Sequence, residues 1–186
     1  MKSAAVLALA GTAALSVLYG ITSYEILLPF AITFGTAAYH LVVRLLAGGI
    51  FRVTMKNRAD LSKPCWQVGE REAAFWEKLG VKKLKRSLPT YDDASFDPRH
   101  HTWDEIAMAS CQAERVHETN VVLSFLPILA GFRFGAFPVF IITSFLAAAF
   151  DSLFVIEQRC NRYRIFRLLS KKSGKFSTLK SETLKK

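Results

Sequence analysis

Cysteine is scarce in this chain, and its spacing argues against a structural role. Cys65, Cys111 and Cys160 form no close C-x-x-C pair and cannot all pair with one another. Neither a disulfide framework nor a zinc site is supported by that pattern. Acidic residues are also in short supply, with 15 Asp and Glu against 25 Lys and Arg and a formal charge of +10. A surplus of that size raises the question of nucleic acid, yet the cations flank apolar blocks and do not build a separate basic domain. The excess reads as the positive-inside bias of a membrane protein, with a basic juxtamembrane surface that attracts anionic lipid, and nucleic acid is not an expected partner. Internal repeats and low-complexity segments are missing as well.

What the chain does have is long apolar runs, which carry much of its 51% hydrophobic content. Residues 4–19 are uncharged and Ala-rich behind Lys2, a pattern shared by signal peptides and membrane helices. The A-x-A cleavage signal is poor, so the run is read as a retained helix. Residues 26–46 form a second run, interrupted by Pro29, His40 and Arg44, and about 20 residues suffice for a hydrocarbon core ~30 Å thick. The two runs read as a hairpin turning over residues 20–25, with Ala10, Gly11, Ala13 and Ala14 as small residues that let the first helix pack closely.

Residues 51–102 contain no apolar run long enough to span and many charges. Within this insert, residues 70–79 read as an amphipathic helix with Ala73, Phe75, Trp76 and Leu79 as apolar contacts, ended by Gly80. The cations Lys82, Lys83, Lys85 and Arg86 follow, and aromatics beside such a cluster suit a headgroup layer. Residues 89–93 and the Asp97-Pro98 pair are turn chemistry, and His100-His101 is expected as an exposed loop pair.

Thr102 with Glu105 predicts a capping box that starts a third long helix. This helix would carry the polar stretch 111–120, enter the bilayer near Thr119 and kink at Pro127. Residues 131–135 then form a turn, and 137–156 is the fourth apolar run, broken only by Asp151. The expected fold is all-α and polytopic, with four transmembrane helices in two hairpins and an interfacial cytoplasmic insert between the second and third. The divisions are 1–50, 51–102, 103–169 and a flexible basic tail at 170–186. Charge bias places both termini in the cytoplasm, and the expected localisation is the plasma membrane, as a multi-pass protein.

The chemistry concentrates in the third and fourth runs. Glu114 and His117 stand at i, i+3 and share a helix face. In an antiparallel hairpin with its apex near Phe134, equal rise on both helices puts His117 level with Asp151, Glu114 near Phe154, and Cys111 near Glu157 and Gln158. The polar stretch therefore meets the run Gln158, Arg159, Asn161, Arg162 and Arg164. Charges beside hydrocarbon are costly unless paired or facing a polar cavity, so function is the default reading for such a cluster. Glu-x-x-His is also a fragment of carboxylate-bridged di-iron bundles, but those need a second copy and further carboxylates, and no metal is expected. His40, one turn before Arg44, is a further polar candidate inside an apolar run.

Three blocks carry a family resemblance: Trp66 to Leu88 with Phe75-Trp76-x-Lys78, then Cys111-Gln-Ala-Glu114-Arg-x-His117, then Gln158-Arg-x-Asn161-Arg-x-Arg164. Together they resemble the glycosyl-4,4′-diaponeurosporenoate acyltransferases of bacterial membranes. The chain departs from that family's usual pattern at Glu118, Asp151, Leu153, Cys160 and Tyr163. The resemblance implies a transferase of carotenoid biosynthesis that moves a fatty acyl group to a sugar hydroxyl of a glycosylated carotenoid without a metal.

Acyl transfer to an alcohol needs a base for the hydroxyl proton and donors for the developing oxyanion. His117 has a suitable ordinary pKa, near ~6.5. Glu114 or Asp151 would orient it, completing the catalytic set. Gln158, Arg159, Asn161, Arg162, Arg164 and His40 would bind substrate, since guanidinium forks match phosphate. Acyl-CoA is the expected co-substrate, a lipid-linked hydroxyl the acceptor, and no cofactor is expected. The rivals are a non-enzymatic lipid-binding or assembly protein, in which the polar cluster only fixes helix packing, and a membrane hydrolase or metalloenzyme using Glu114-x-x-His117.

Overall fold

The computed structural model describes residues 1–80 and 94–183, with the side chains of Ala94 and of 172–183 excepted. Among these residues every regular element is helical. The chain forms two compact units, one from Met1–Thr54 with Arg115–Phe154, the other from Met55–Glu114 with Val155–Lys186.

In the first unit, helix α1 (Lys2–Thr22) is closed by Ser23 in the left-handed conformation (φ 53°), whose N–H bonds the Tyr19 carbonyl. It packs on α2 (Leu27–Thr54). The contact face is Ala5 and Ala8, both buried, and Gly11, where a Cβ would sit 2.8 Å from the Phe34 ring. Of the four small residues expected at this contact, Gly11 alone takes part, and Ala10, Ala13 and Ala14 are exposed. The reason is helical phase: positions 5, 8 and 11 recur on one face, and 10, 13 and 14 fall on the other. The outward side carries large aliphatics such as Leu7 and Ile21, 71% and 78% exposed. An apolar exterior of this kind needs hydrocarbon around it.

Helix α3 (Glu70–Lys78) matches the expected amphipathic segment. Phe75 and Leu79 are exposed, and Trp76 is half-buried. The basic cluster at 82–86 and the turn at 89–93 lie outside the described residues. Helix α4 (Trp103–Leu123) starts as a capping box. The Thr102 N–H donates to Glu105 Oε2 at 2.7 Å, and the Glu105 N–H donates to Thr102 Oγ1 at 3.3 Å.

The expected third span is not one continuous kinked helix. Helix α4 ends at Leu123, and a short α5 (Pro127–Phe134) begins after a break. Proline at α5's first position has no N–H to continue the preceding helix, and its ring excludes the carbonyl four residues back. Among the described residues three helices are long and apolar enough to cross a membrane: α1, α2 and the 137–171 part of α6 (Phe137–Thr183). The turn expected over 131–135 contracts to Gly135, at φ 71°, because Gly131 stays helical within α5. The backbone of α6 is helical to Thr183, past the point where the tail is expected to begin.

The second unit has a small apolar core of Ile106, Ala107 and Ile165, flanked by Leu61, Phe96, Phe166 and Leu169. This core holds α4's first half against the later part of α6. It also fixes the rotation of both helices, and hence which polar residues meet.

A Cβ at Gly131 would lie 2.6 Å from Cδ1 and 3.1 Å from Cγ of Phe137, so the base of the ring would have to move. Gly131→Ala is expected to cost about 1–3 kcal/mol, the usual range for overpacking. Thermal unfolding in detergent checks this, and adding Phe137→Leu should recover part of the loss.

Candidate functional site

The polar residues singled out in the sequence fall into two networks, one in each unit. In the first unit Asp151 is fully buried, with 0% exposure. Its Oδ1 accepts from His117 Nδ1 at 2.8 Å and from Asn120 Nδ2 at 3.3 Å, and its Oδ2 accepts from Arg44 Nη2 at 2.5 Å. Arg44 Nη2 also donates to the Ala147 carbonyl at 3.3 Å, and the guanidinium lies 5.7 Å over the Phe150 ring. A buried carboxylate with one guanidinium and two further donors has its charge answered on both oxygens.

His117 is held from two sides. Its ring stacks on Phe154, with centroids 4.7 Å apart and planes at 10°. Its Nδ1 is fixed by Asp151, while the side chain keeps 23% exposure. The hairpin register thus brings His117 and Asp151 level, as equal helical rise requires. Nδ1 donates to the carboxylate, and among the described residues Nε2 has no hydrogen bond. The imidazole is thus fixed through one nitrogen and unbonded at the other. His40 is buried beside Tyr39, and its Nε2 has no partner among the described residues.

In the second unit Glu114 is buried, at 1% exposure, and bonds two arginines. Arg159 Nη1 donates to Glu114 Oε1 at 2.9 Å, and Arg162 Nη2 donates to Glu114 Oε2. Arg159 also forks onto Glu72, with Nε to Oε1 at 2.5 Å and Nη2 to Oε2 at 2.9 Å. The Arg159 guanidinium holds the Glu72 carboxyl below the usual carboxylate range. Arg162, with 0% exposure, donates Nε to the Trp66 carbonyl at 2.8 Å and lies 5.5 Å over the Trp66 ring. Two carboxylates and two guanidiniums make a neutral clamp that ties the 57–78 segment, α4 and α6 together. Gln158 accepts Ser110 Oγ on its backbone carbonyl at 3.0 Å and leaves its buried Oε1 without a partner among the described residues. Asn161 and Arg164 are half-buried. Cys111 is fully buried, and burial pushes its thiol up to about 11, which leaves it protonated and unreactive.

Of the two carboxylates expected to orient His117, Asp151 is the one bonded to it, and Glu114 is committed to arginines. Arg44, Asn120, Glu72 and Trp66 join these networks without having been expected as site residues. Arg44 did leave a signal, because a cation inside an apolar run is costly without an anion. Glu72 left none: a glutamate in the first turn of an amphipathic helix needs no partner.

Removing Glu114's charge should be the more damaging change in the clamp, because Arg162 then stays buried and uncompensated. Glu114→Gln is expected to cost about 3–5 kcal/mol, whereas Glu114→Leu with Arg162→Met should regain most of it. Abundance and melting temperature of the detergent-extracted protein measure both.

Comparison with curated proteins and with solved structures produced no match. The family model for glycosyl-4,4′-diaponeurosporenoate acyltransferase matches residues 57–171, a stretch that contains the clamp, His117, Asn120 and Asp151. With well over half of its length matched and both networks largely inside the match, the chain belongs to the glycosyl-4,4′-diaponeurosporenoate acyltransferase family.

Proposed function

We propose that the chain is an integral-membrane O-acyltransferase. It moves a fatty acyl group from acyl-CoA to a hydroxyl of a lipid-linked acceptor, a glycosylated carotenoid-like glycolipid. The reaction takes place at the cytoplasmic face of the plasma membrane, with both termini and the 51–102 insert on that side. A pairing of α4 with α5 completes a fourth crossing. The observation that carries the reading is the His117–Asp151 pair, 2.8 Å apart, with the imidazole stacked on Phe154.

Asp151 keeps the proton on His117 Nδ1, so Nε2 takes the proton of the acceptor hydroxyl. The hydroxyl oxygen bonds the thioester carbonyl carbon, the carbon–sulfur bond breaks, and the departing thiolate receives the proton from the imidazolium. Asp151 stabilises that imidazolium without becoming protonated, as in hydrolase triads. Arg44, on the other carboxylate oxygen, fixes Asp151 and acts as a positioning residue. His40 contacts substrate. In the second unit the charges of Arg159 and Arg162 are already answered by Glu72 and Glu114, which argues against either as a phosphate-binding residue.

Membranes holding the full chain, supplied with labelled acyl-CoA and glycosylated carotenoid, test this reading. His117→Gln should lower product formation by ~10²–10⁴-fold while abundance stays near wild type. Asp151→Asn should lower it too, and the double variant should be little worse than His117→Gln alone, because residues acting as one unit are not additive. Unchanged turnover in an abundant His117→Gln protein would end the general-base assignment. Loss of that variant from the membrane would favour the assembly role.

A further inference from the structure

The first unit contains a cavity of about 420 Å³ between α1, α2, α5 and the start of α6. Its size falls within the range of small-molecule pockets. Small residues hollow it out: Ala31, Gly35 and Ala130 leave space where larger side chains would fill it. Three of its four side-chain hydroxyls are already engaged. Thr12 Oγ1 donates to the Ala8 carbonyl at 2.7 Å, Thr36 Oγ1 to the Ile32 carbonyl at 2.8 Å, and the Tyr39 hydroxyl to the Leu123 carbonyl at 2.8 Å. A ligand here meets mainly apolar surface, with Ser16 as the one lining hydroxyl that has no hydrogen bond among the described residues.

The cavity and the His117–Asp151 pair lie in series on three helical segments. Along α2, Leu28 to Tyr39 line the cavity, and His40 and Arg44 follow. Running back from the break before α5, Leu126 lines the cavity, Leu123 accepts the Tyr39 hydroxyl, and Asn120 and His117 come next. Along α6, Phe140 lines the cavity and Asp151 lies three turns on. The lined length of α2 is about 16 Å at 1.5 Å per residue, and Tyr39 to Arg44 adds only about 8 Å. The shape is an extended apolar slot with a polar reaction centre beyond one end.

We infer that this cavity binds the acyl chain of the donor, with the thioester at the Tyr39 end. The inference rests on the acyl-transfer reading and adds where the transferred chain lies and what limits its length. Eight of the thirteen lining residues precede residue 57, where the family match begins. Chain-length preference in this protein is therefore set mainly by its own N-terminal hairpin.

Two measurements on the full-length protein in membranes test it. The first is the ratio of kcat/KM for long over short acyl-CoA. Ala130→Phe, which fills the slot, should lower that ratio roughly tenfold or more, and Ile32→Ala, which lengthens it, should raise it, since one methylene in an apolar pocket is worth about 10–200-fold. Active variants with wild-type ratios would overturn the inference. The second uses acyl-CoA with a photoreactive group at the chain end on the His117→Gln protein, which does not depend on turnover. Adducts concentrated on the Leu28–Tyr39 and Leu126–Phe134 peptides, and displaced by Ala130→Phe, support it. Labelling spread over the exposed face of α1 means bulk lipid contact only and rejects it. Localised adducts in a protein that transfers no acyl group would uphold the chain site while removing the acyl-transfer reading.

Discussion

A carboxylate with no access to water must be answered by charge or hydrogen bonds, and Asp151 imposes that constraint on the first unit. It is the lone acid in an apolar run, and it draws Arg44 from α2 and His117 and Asn120 from α4 to its two oxygens. Each of those residues would itself be costly in that setting. Together they set the rotation and height of three helical segments, because a shift of one residue would swing a partner out of reach. The oriented imidazole is a by-product of the same demand. A ring that satisfies Asp151 through Nδ1 presents Nε2 outward, which is the arrangement acyl transfer requires.

The second unit meets a similar demand with more residues. Glu114 lies between two guanidiniums, and Glu72 takes the remaining charge of Arg159. Planar, multi-donor guanidinium suits this task, because one Arg can bond a carboxylate and a carbonyl in fixed directions. Arg162 does so with Glu114 and the Trp66 carbonyl. The apolar core of Ile106, Ala107 and Ile165 is small, and the clamp adds charged contacts from the Trp66 and Glu72 segment to α4 and α6.

The first unit uses small residues for two different ends. Gly11 brings α1 close to α2, where Phe34 fills the space above it. Ala31, Gly35 and Ala130 do the reverse and leave a slot unfilled. Close packing is the norm in protein interiors, and this hollow, lined mainly by apolar groups, departs from it.

Much of this was written into local sequence. Apolar runs of sufficient length specify α1, α2 and the start of α6, and Thr102 with Glu105 specifies where α4 begins, because capping and hydrophobic length are properties of neighbouring residues. The level of His117 with Asp151 also followed, since it depends only on a turn position and a constant helical rise. The break at Leu123–Pro127 was legible as a kink but not as the end of a helix. Whether a chain bends or stops at proline depends on what surrounds the freed carbonyls. Long-range choices were decided by the tertiary structure alone. The i, i+3 spacing of Glu114 and His117 suggested one shared site, but neighbouring positions on a helix face can serve different partners. Asp151 took the histidine because Arg44, more than a hundred residues away, answered its second oxygen, and Glu114 took Arg159 and Arg162 because the Trp66 and Glu72 segment folded onto α6. The slot, too, arises only when side chains from separate helices leave the same volume empty, and no single stretch of sequence encodes an empty space.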